Sequence, residues 1–277
     1  MSYLSTMQAQ PKPTGQVMVI AGVEGVGKST MASGAPGRLY VPTEIGGKFH
    51  NSLPLVTQWE TVLGLLDELI ATAQAGNAIP QSIVWDSATA MERLLFDYTV
   101  RNDPDAIAGK KLASKLTMET SHGAYGKAYA WARDRFEDFL AKCDLLATHV
   151  GTNHIFTCHV FTTEVVDPTV GSYHQHDLLL HSPRNSKTYG VREFLTQRAD
   201  FIGFLNEPIL VSKGEKFNQA LASGQGRQLL LDRIPGAVAK NRYGLSGSIA
   251  IPVEGGWNVL ASAIWESTKG QIDVWAR

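Results

Sequence analysis

The chain has 277 residues, of which 44% are hydrophobic and 18% are charged, and its formal net charge is −1. This composition is typical of a globular protein and excludes a chain that is basic overall, so any contact with DNA must come from local basic patches. No apolar run approaches the roughly 18 residues that would indicate a membrane span. Cys143 and Cys158 lie in apolar surroundings without C-x-x-C spacing, which favours reduced core residues of a cytoplasmic protein.

The first apolar run of the chain leads into a complete phosphate-binding loop. Residues 1–15 are polar and contain two prolines, which indicates a flexible tail. The apolar run 17–21 predicts a buried strand, and the next eight residues read G-x-x-x-x-G-K-S. These residues are Gly22, Val23, Glu24, Gly25, Val26, Gly27, Lys28 and Ser29, and a helix is expected to begin at Lys28, Ser29 and Thr30.

The chemistry of this loop predicts binding of a nucleoside triphosphate. Its glycines let backbone N–H groups converge on phosphate oxygens without a clash from Cβ atoms. Lys28 would reach the β- and γ-phosphates, and the Ser29 hydroxyl would bind Mg²⁺. A chance glycine turn is the alternative, and the preceding strand together with the Lys-Ser pair argues against it. We therefore expect ATP and Mg²⁺ as cofactors.

Strand and helix patterns alternate through the first 160 residues, which predicts a parallel sheet with helices on its faces. Beyond residue 160, short strand-like runs separated by turns predict an antiparallel extension of the same sheet. The sequence therefore predicts one α/β domain over 16–277. The expected strands are 16–21, 38–42, 83–86, 154–158, 161–167, 199–205, 208–212, 227–233 and 247–252. Three longer helices are expected: one at 58–75, a second from the third strand to about residue 100, and a third that contains 136–147.

Two carboxylates follow predicted strands. Asp86 closes the apolar run 82–85, and at the carboxyl end of a strand neighbouring strand 1 it would bind Mg²⁺ beside the phosphate loop. The alternative for Asp86 is an N-cap of the next helix. Glu44 follows the second strand, which we expect to lie adjacent to strand 1, so Glu44 can act as the base for ATP hydrolysis. A solvated loop carboxylate is the alternative for Glu44, and Glu24 is a weaker rival for its role.

The segment 83–88 resembles the Walker B strand of RecA-type ATPases, which typically reads hydrophobic-hydrophobic-Asp-Ser. The resemblance implies a RecA-like P-loop NTPase fold. Glu44 matches the catalytic carboxylate of that superfamily. His159 lies where its members often carry a polar sensor, commonly Gln, that links the γ-phosphate to the DNA-binding loops. A satisfied histidine at a strand end is the alternative for His159.

The segment 239–244 resembles the Lys-x-Arg element of the RadA and DnaB branches of this superfamily. The resemblance implies that Lys240 and Arg242 contact the γ-phosphate held by a neighbouring subunit, with Arg242 as the arginine finger. A homo-oligomer, either a ring or a filament, would then be required. The alternative is a solvated basic turn before the last predicted strand.

A narrower resemblance, over roughly 16–265, is to compact phage ATPases with a RecA-like core, including those associated with single-strand annealing. It implies a phage-encoded protein in the cytoplasm of the bacterial host. The features that carry it are the short helix after the phosphate loop, the segment 43–47, Tyr125 with Gly126, and the strand end 157–159.

A RecA-like core would meet single-stranded DNA at the loops that follow its third and fourth strands. The segments 109–127 and 172–192 fall at these places, and both interleave cations with aromatic or imidazole rings. Cations neutralise phosphates and rings stack on bases, so this composition suits a single strand. A solvated mobile loop is the alternative for each segment.

The leading hypothesis is an oligomeric ATPase that binds DNA in recombination or single-strand annealing. A second hypothesis is an ATP-dependent binding switch for a replication or recombination partner. A third is a small-molecule or nucleoside kinase, with 184–198 as an arginine-containing lid. A GTPase is disfavoured because the chain has no Asn-Lys-x-Asp segment to read guanine.

Overall fold

The computed structural model describes residues 15–46, 51–169, 171–183, 189–213, 218–222 and 226–275. The predicted tail at 1–15 therefore lies, apart from Gly15, outside the described residues. Within them the chain forms an α/β fold with a largely parallel central sheet, which confirms the predicted fold class. None of the described helices combines the length and the apolar character that crossing a bilayer requires.

An eight-stranded sheet in the described part of the chain has the order β12-β10-β7-β1-β4-β3-β2, with β11 paired to β7. Strands β7, β1, β4, β3 and β2 run parallel, and β10, β11 and β12 are antiparallel to their neighbours. The strands are β1 Val17–Gly22, β2 Arg38–Pro42, β3 Ser82–Asp86, β4 Asn153–Cys158, β7 Phe201–Asn206, β10 Arg227–Leu230, β11 Lys240–Asn241 and β12 Ser248–Ile251. Two hairpins lie outside the sheet, formed by β5 Val160–Asp167 with β6 Gly171–Leu178 and by β8 Ile209–Lys213 with β9 Asn218–Ala222.

Helices cover both faces of the sheet because alternate residues of each strand point to opposite faces. Val17, Val19 and Ala21 of β1 join one apolar cluster, whereas Met18 and Ile20 join the other. The helices are α1 Lys28–Ala32, α2 Trp59–Gln74, α3 Ala88–Arg101, α4 Pro104–Ile107, α5 Lys127–His149, α6 Val191–Arg198 and α7 Gly256–Ser267. α2, α3, α5 and α6 pack together on the first face, and α1 packs with α7 on the second.

The order of the strands differs from the expectation in one respect that matters for the site. We expected the strands ending at Asp86 and near Glu44 to neighbour β1, but β4 lies between β1 and β3, and β2 lies at the edge beyond β3. Local sequence patterns determine where a strand forms, whereas neighbours are chosen by long crossover connections that these patterns do not encode. The carboxyl ends of these parallel strands still lie at one edge.

The predicted antiparallel extension of the sheet is confirmed for β10 and β12. It is wrong for the predicted runs 161–167, 199–205 and 208–212. β7, which overlaps the run 199–205, pairs parallel to β1 and completes the parallel sheet. The run 161–167 belongs to β5, which pairs only with β6, and the run 208–212 belongs to the β8–β9 hairpin. β7 is parallel because a crossover that includes α6 returns the chain to the amino edge of the sheet before β7 begins.

Candidate nucleotide site

The predicted phosphate loop joins the end of β1 to the start of α1. Gly25 and Gly27 have φ values of 76° and 97°, which only glycine adopts without strain. Gly27 also has no room for a side chain, because an added Cβ would lie 1.9 Å from Nη1 of Arg227. The Lys28 ammonium donates to the carbonyl of Val23 at 2.8 Å, which holds it across the loop.

The Lys28 side chain is buried within the site, with the residue only 6% exposed. Burial lowers the pKa of Lys28, and the carboxylates of Asp86 and Glu44 oppose this effect. A buried ammonium at a glycine-rich loop is suited to an anionic ligand, and the two carboxylates beside it leave a negative charge that a bound cation would offset.

Asp86 ends β3 within a network of hydroxyl groups. Tyr40 and Thr157 each donate a hydrogen bond to its carboxylate, from β2 on one side and β4 on the other. The Tyr40 hydroxyl also lies near the side chain of Ser29, and its pKa is raised by burial and by the charge of Asp86. The two residues predicted to hold Mg²⁺, Ser29 and Asp86, therefore both lie beside one phenol. A hydroxyl and a carboxylate are oxygen ligands of the kind that Mg²⁺ binds, so these residues fit the ion.

Glu44 faces His159 at the same edge of the sheet. Nε2 of His159 lies 3.2 Å from Oε1 and 3.4 Å from Oε2 of Glu44. The hydrogen bond from His159 lowers the pKa of Glu44, so this carboxylate is ionised at neutral pH. The backbone N–H of His159 donates to Oγ1 of Thr89 at 3.2 Å, which fixes the histidine at the end of β4.

The arrangement places an ammonium, a hydroxyl and two carboxylates around a phosphate-binding loop. The profile of the AAA domain family matches residues 14–243, which is most of the chain and includes all of these groups. The chain belongs to the AAA domain family. Membership indicates a P-loop, nucleotide-binding domain of the ATPase type. No curated protein matches the sequence.

Two residues of this AAA domain site escaped the sequence analysis. The sequence pattern places Tyr40 only in a strand, and its hydrogen bond to Asp86 depends on the pairing of β2 with β3. Arg227 of β10 donates to the carbonyls of Val26 and Pro252, which places a guanidinium directly on the phosphate loop. An Arg-Gln pair before an apolar run carries no recognisable signal, so Arg227 could be found only from the fold.

Lys240 and Arg242 lie at the opposite end of the AAA domain sheet from the phosphate loop. Lys240 donates to the carbonyls of Thr196 and Gln197 in the last turn of α6, at 2.8 and 2.9 Å. Arg242 forms an ion pair with Asp200 at 2.8 Å. Within one chain neither residue is brought to the nucleotide site, and both stabilise the turn between α6 and β7.

The two segments predicted to meet DNA converge on one cavity of about 760 Å³. The first segment is irregular, as expected, with exposed lysines. The second segment is not a loop, because 172–178 forms most of β6 and 191–192 begin α6. Two of its predicted cations, Arg184 and Lys187, lie outside the described residues. The pairing of β6 with β5 takes up the backbone hydrogen bonds that a loop would leave free. The rings that line the cavity are those of Tyr125, Tyr129, His181 and Tyr189.

Proposed function

We propose that this AAA domain hydrolyses ATP in response to single-stranded DNA, acting in phage-type recombination or single-strand annealing. One observation carries the proposal: a backbone hydrogen bond joins Leu179, two residues before His181 in the cavity wall, to His159, the hydrogen-bond partner of Glu44. The proposal assigns phosphate binding to the loop Gly22–Thr30 and Mg²⁺ binding to Ser29 and Asp86. Residues 16–277 would act as one domain.

In the nucleotide site each residue has a distinct task. Lys28 binds the β- and γ-phosphates, and the N–H groups of the loop orient them. Mg²⁺, when bound, neutralises charge on the phosphate oxygens. Glu44, ionised and within the same cluster as Lys28, accepts a proton from the attacking water. While Glu44 is bonded to His159, its carboxylate is held by a partner other than water, so hydrolysis is expected to be slow without DNA.

The connection to the cavity runs through the β5–β6 hairpin. The carbonyl of His159 accepts from the N–H of Leu179 at 2.8 Å, and His181 follows two residues later. The His181 ring stacks on Tyr129, with centroids 4.0 Å apart and planes within 5°. A base that enters this cavity and shifts His181 would therefore act on the position of His159, which is the sensor role that the RecA resemblance implies.

The cavity has the chemistry of a single-strand site. Tyr125 is 96% exposed, Tyr189 is 53% exposed, and both offer ring faces on which bases can stack. The exposed lysines of 109–127 lie on the same segment as Tyr125 and supply charge for phosphates. Sequence-independent binding is expected, because stacking and phosphate contacts do not read base edges.

The test is ATP turnover measured with and without single-stranded DNA over a salt series. DNA should raise turnover, and the stimulation should fall steeply with salt because phosphate contacts release counterions. Tyr125→Ala should weaken DNA binding roughly tenfold through the loss of one stacking contact, whereas the matched control Tyr125→Phe keeps the ring and the affinity. Equal turnover with and without DNA would contradict the proposal, and phosphate transferred to an added acceptor would favour a kinase.

A further inference from the structure

A second cavity, of about 580 Å³, lies against the phosphate loop. Its wall on one side is the loop itself, residues 23–26, and on the other side it is the carboxyl end of β7 with the turn at 234–237. The Glu44–His159 pair does not line it. In parallel sheets ligands bind in the crevice beyond the carboxyl ends of the strands, and this cavity continues that crevice from β1 to β7.

The polar groups that line the cavity are mainly hydrogen-bond acceptors. Asn206, the last residue of β7, has a buried Oδ1 with no hydrogen-bond partner among the described residues. Leaving such an oxygen unpaired costs free energy, so a bound donor would be stabilised there. The carboxylates of Glu24 and Glu207 lie at the same cavity and accept hydrogen bonds as well.

A flat ring forms part of the wall near Asn206. The imidazole of His176 stacks on Phe204, with centroids 5.3 Å apart and planes within 18°. Nδ1 of His176 is 3.3 Å from Oγ1 of Thr162. The backbone N–H of His176 donates to the carbonyl of Gly236, and its carbonyl accepts from the N–H of Val238. The ring is thus held in place before any ligand arrives, which favours stacking with a planar group.

We infer that this cavity binds the adenine ring and ribose of the nucleotide whose phosphates occupy the loop. The base lies against His176, its 6-amino group donates to Oδ1 of Asn206, and Glu24 and Glu207 accept from the ribose hydroxyls. This inference rests on the proposed nucleotide binding at Lys28. It assigns base selection to β7 and the β5–β6 hairpin, outside the phosphate loop.

Inosine triphosphate is the matched probe, because its base has an oxygen where adenine has the amino group. The wild-type domain should bind ATP about tenfold more tightly than inosine triphosphate, the difference expected for one hydrogen bond. Asn206→Leu, which is close to Asn in shape, should remove that preference. Asn206→Asp retains an acceptor and should keep the preference. His176→Ala should weaken both nucleotides equally, since stacking does not depend on the group at position 6.

Inorganic tripolyphosphate separates this inference from the proposed function. Its affinity should be lost in Lys28→Ala and unchanged in Asn206→Leu and His176→Ala, which also shows that these variants are folded. Equal binding of ATP and inosine triphosphate by the wild-type domain would overturn the base pocket, as would unchanged ATP affinity in both pocket variants. If Lys28→Ala instead binds tripolyphosphate as tightly as the wild type, the proposed function of the loop is overturned.

Discussion

At the scale of single residues, the proposed hydrolysis depends most on the contact between Glu44 and His159. The hydrogen bond from His159 lowers the pKa of Glu44, and the same ring nitrogen lies within 3.4 Å of both carboxylate oxygens. If Glu44 is the base, this contact leaves it ionised but hydrogen-bonded to a partner other than water. In the proposed mechanism, DNA would have to shift this hydrogen bond before Glu44 could accept a proton from water.

Replacing Glu44 by Gln should leave ATP binding nearly unchanged, because the glutamine side chain has the same shape and the phosphate contacts are made by Lys28 and the loop. Hydrolysis in a single turnover should fall by about 10²–10⁴-fold, the usual contribution of a general base. Glu24→Gln tests the rival carboxylate of the loop, and it is compared at saturating ATP because Glu24 also lines the second cavity. A loss of hydrolysis in Glu24→Gln, and none in Glu44→Gln, would assign the base to the loop instead.

Residues whose position follows from a nearby strand pattern could be predicted from the sequence, whereas contacts between distant residues could not. Lys28 and Ser29 follow β1 after one short loop and Asp86 ends β3, so the sequence pattern alone places them at the carboxyl edge of the sheet. The contacts that give them partners span much longer intervals. Tyr40 and Asp86 are 46 residues apart, and Glu44 and His159 are 115 apart. No periodic pattern records such pairs, so they emerge only once the strand order is known.

At the scale of elements, α3 connects the nucleotide site to the candidate DNA cavity. Its first turn holds Thr89, which bonds to His159, and its next turn holds Glu92, which accepts from the N–H of His181 at 2.7 Å. Burial raises the pKa of Glu92 to about 7. This helix therefore carries a carboxyl group whose charge near neutral pH depends on the packing of the hairpin against it.

The pKa of Glu92 in the folded chain lies above its ordinary value of 4.5, so the folded state binds a proton that the unfolded state has released. Stability from this group is full below pH 4.5 and is lost as the pH rises through about 7. Glu92→Gln keeps an acceptor for His181 and removes the titration. Between pH 4.5 and about pH 7, the free energy of unfolding of Glu92→Gln should rise relative to that of the wild type by at most roughly 3 kcal/mol. Chemical denaturation at several pH values measures it, and a difference that is constant with pH would contradict it.

Other elements show where sequence patterns are sufficient and where they are not. In α7, Trp257, Leu260, Ala261 and Ile264 are buried at helical spacing, so this unpredicted helix was readable from the sequence. The departure of β5 and β6 from the sheet was not readable. Burial alternates along β5 but not regularly along β6, and neither pattern distinguishes a hairpin from a sheet edge.

At the scale of the whole molecule, the sheet separates the phosphate loop from the Lys240–Arg242 turn. At the carboxyl end of β1, Gly22 pairs with Leu205. At its amino end, Val17 accepts a backbone hydrogen bond from Asp200, and Asp200 accepts one from Arg242. About 16 Å of strand lies between them, more than an arginine side chain can span. If Arg242 takes part in hydrolysis, it does so in a neighbouring subunit, and the turn that α6 and Asp200 support is then a pre-formed finger.

Mixing two inactive variants tests this arrangement. Arg242→Ala should bind ATP as a monomer but hydrolyse it at least about 10³-fold more slowly in the oligomer, since an arginine finger supplies that factor. Lys28→Ala should fail to bind ATP while still presenting its own Arg242. In an equal mixture, roughly a quarter of the interfaces join an intact loop to an intact finger, so about that share of wild-type turnover should return. Arg242→Lys, which retains the charge near Asp200, controls for loss of the ion pair. Turnover that stays at the level of the separate variants, when size-exclusion chromatography shows mixed oligomers, would confine Arg242 to the structural contacts of its own chain.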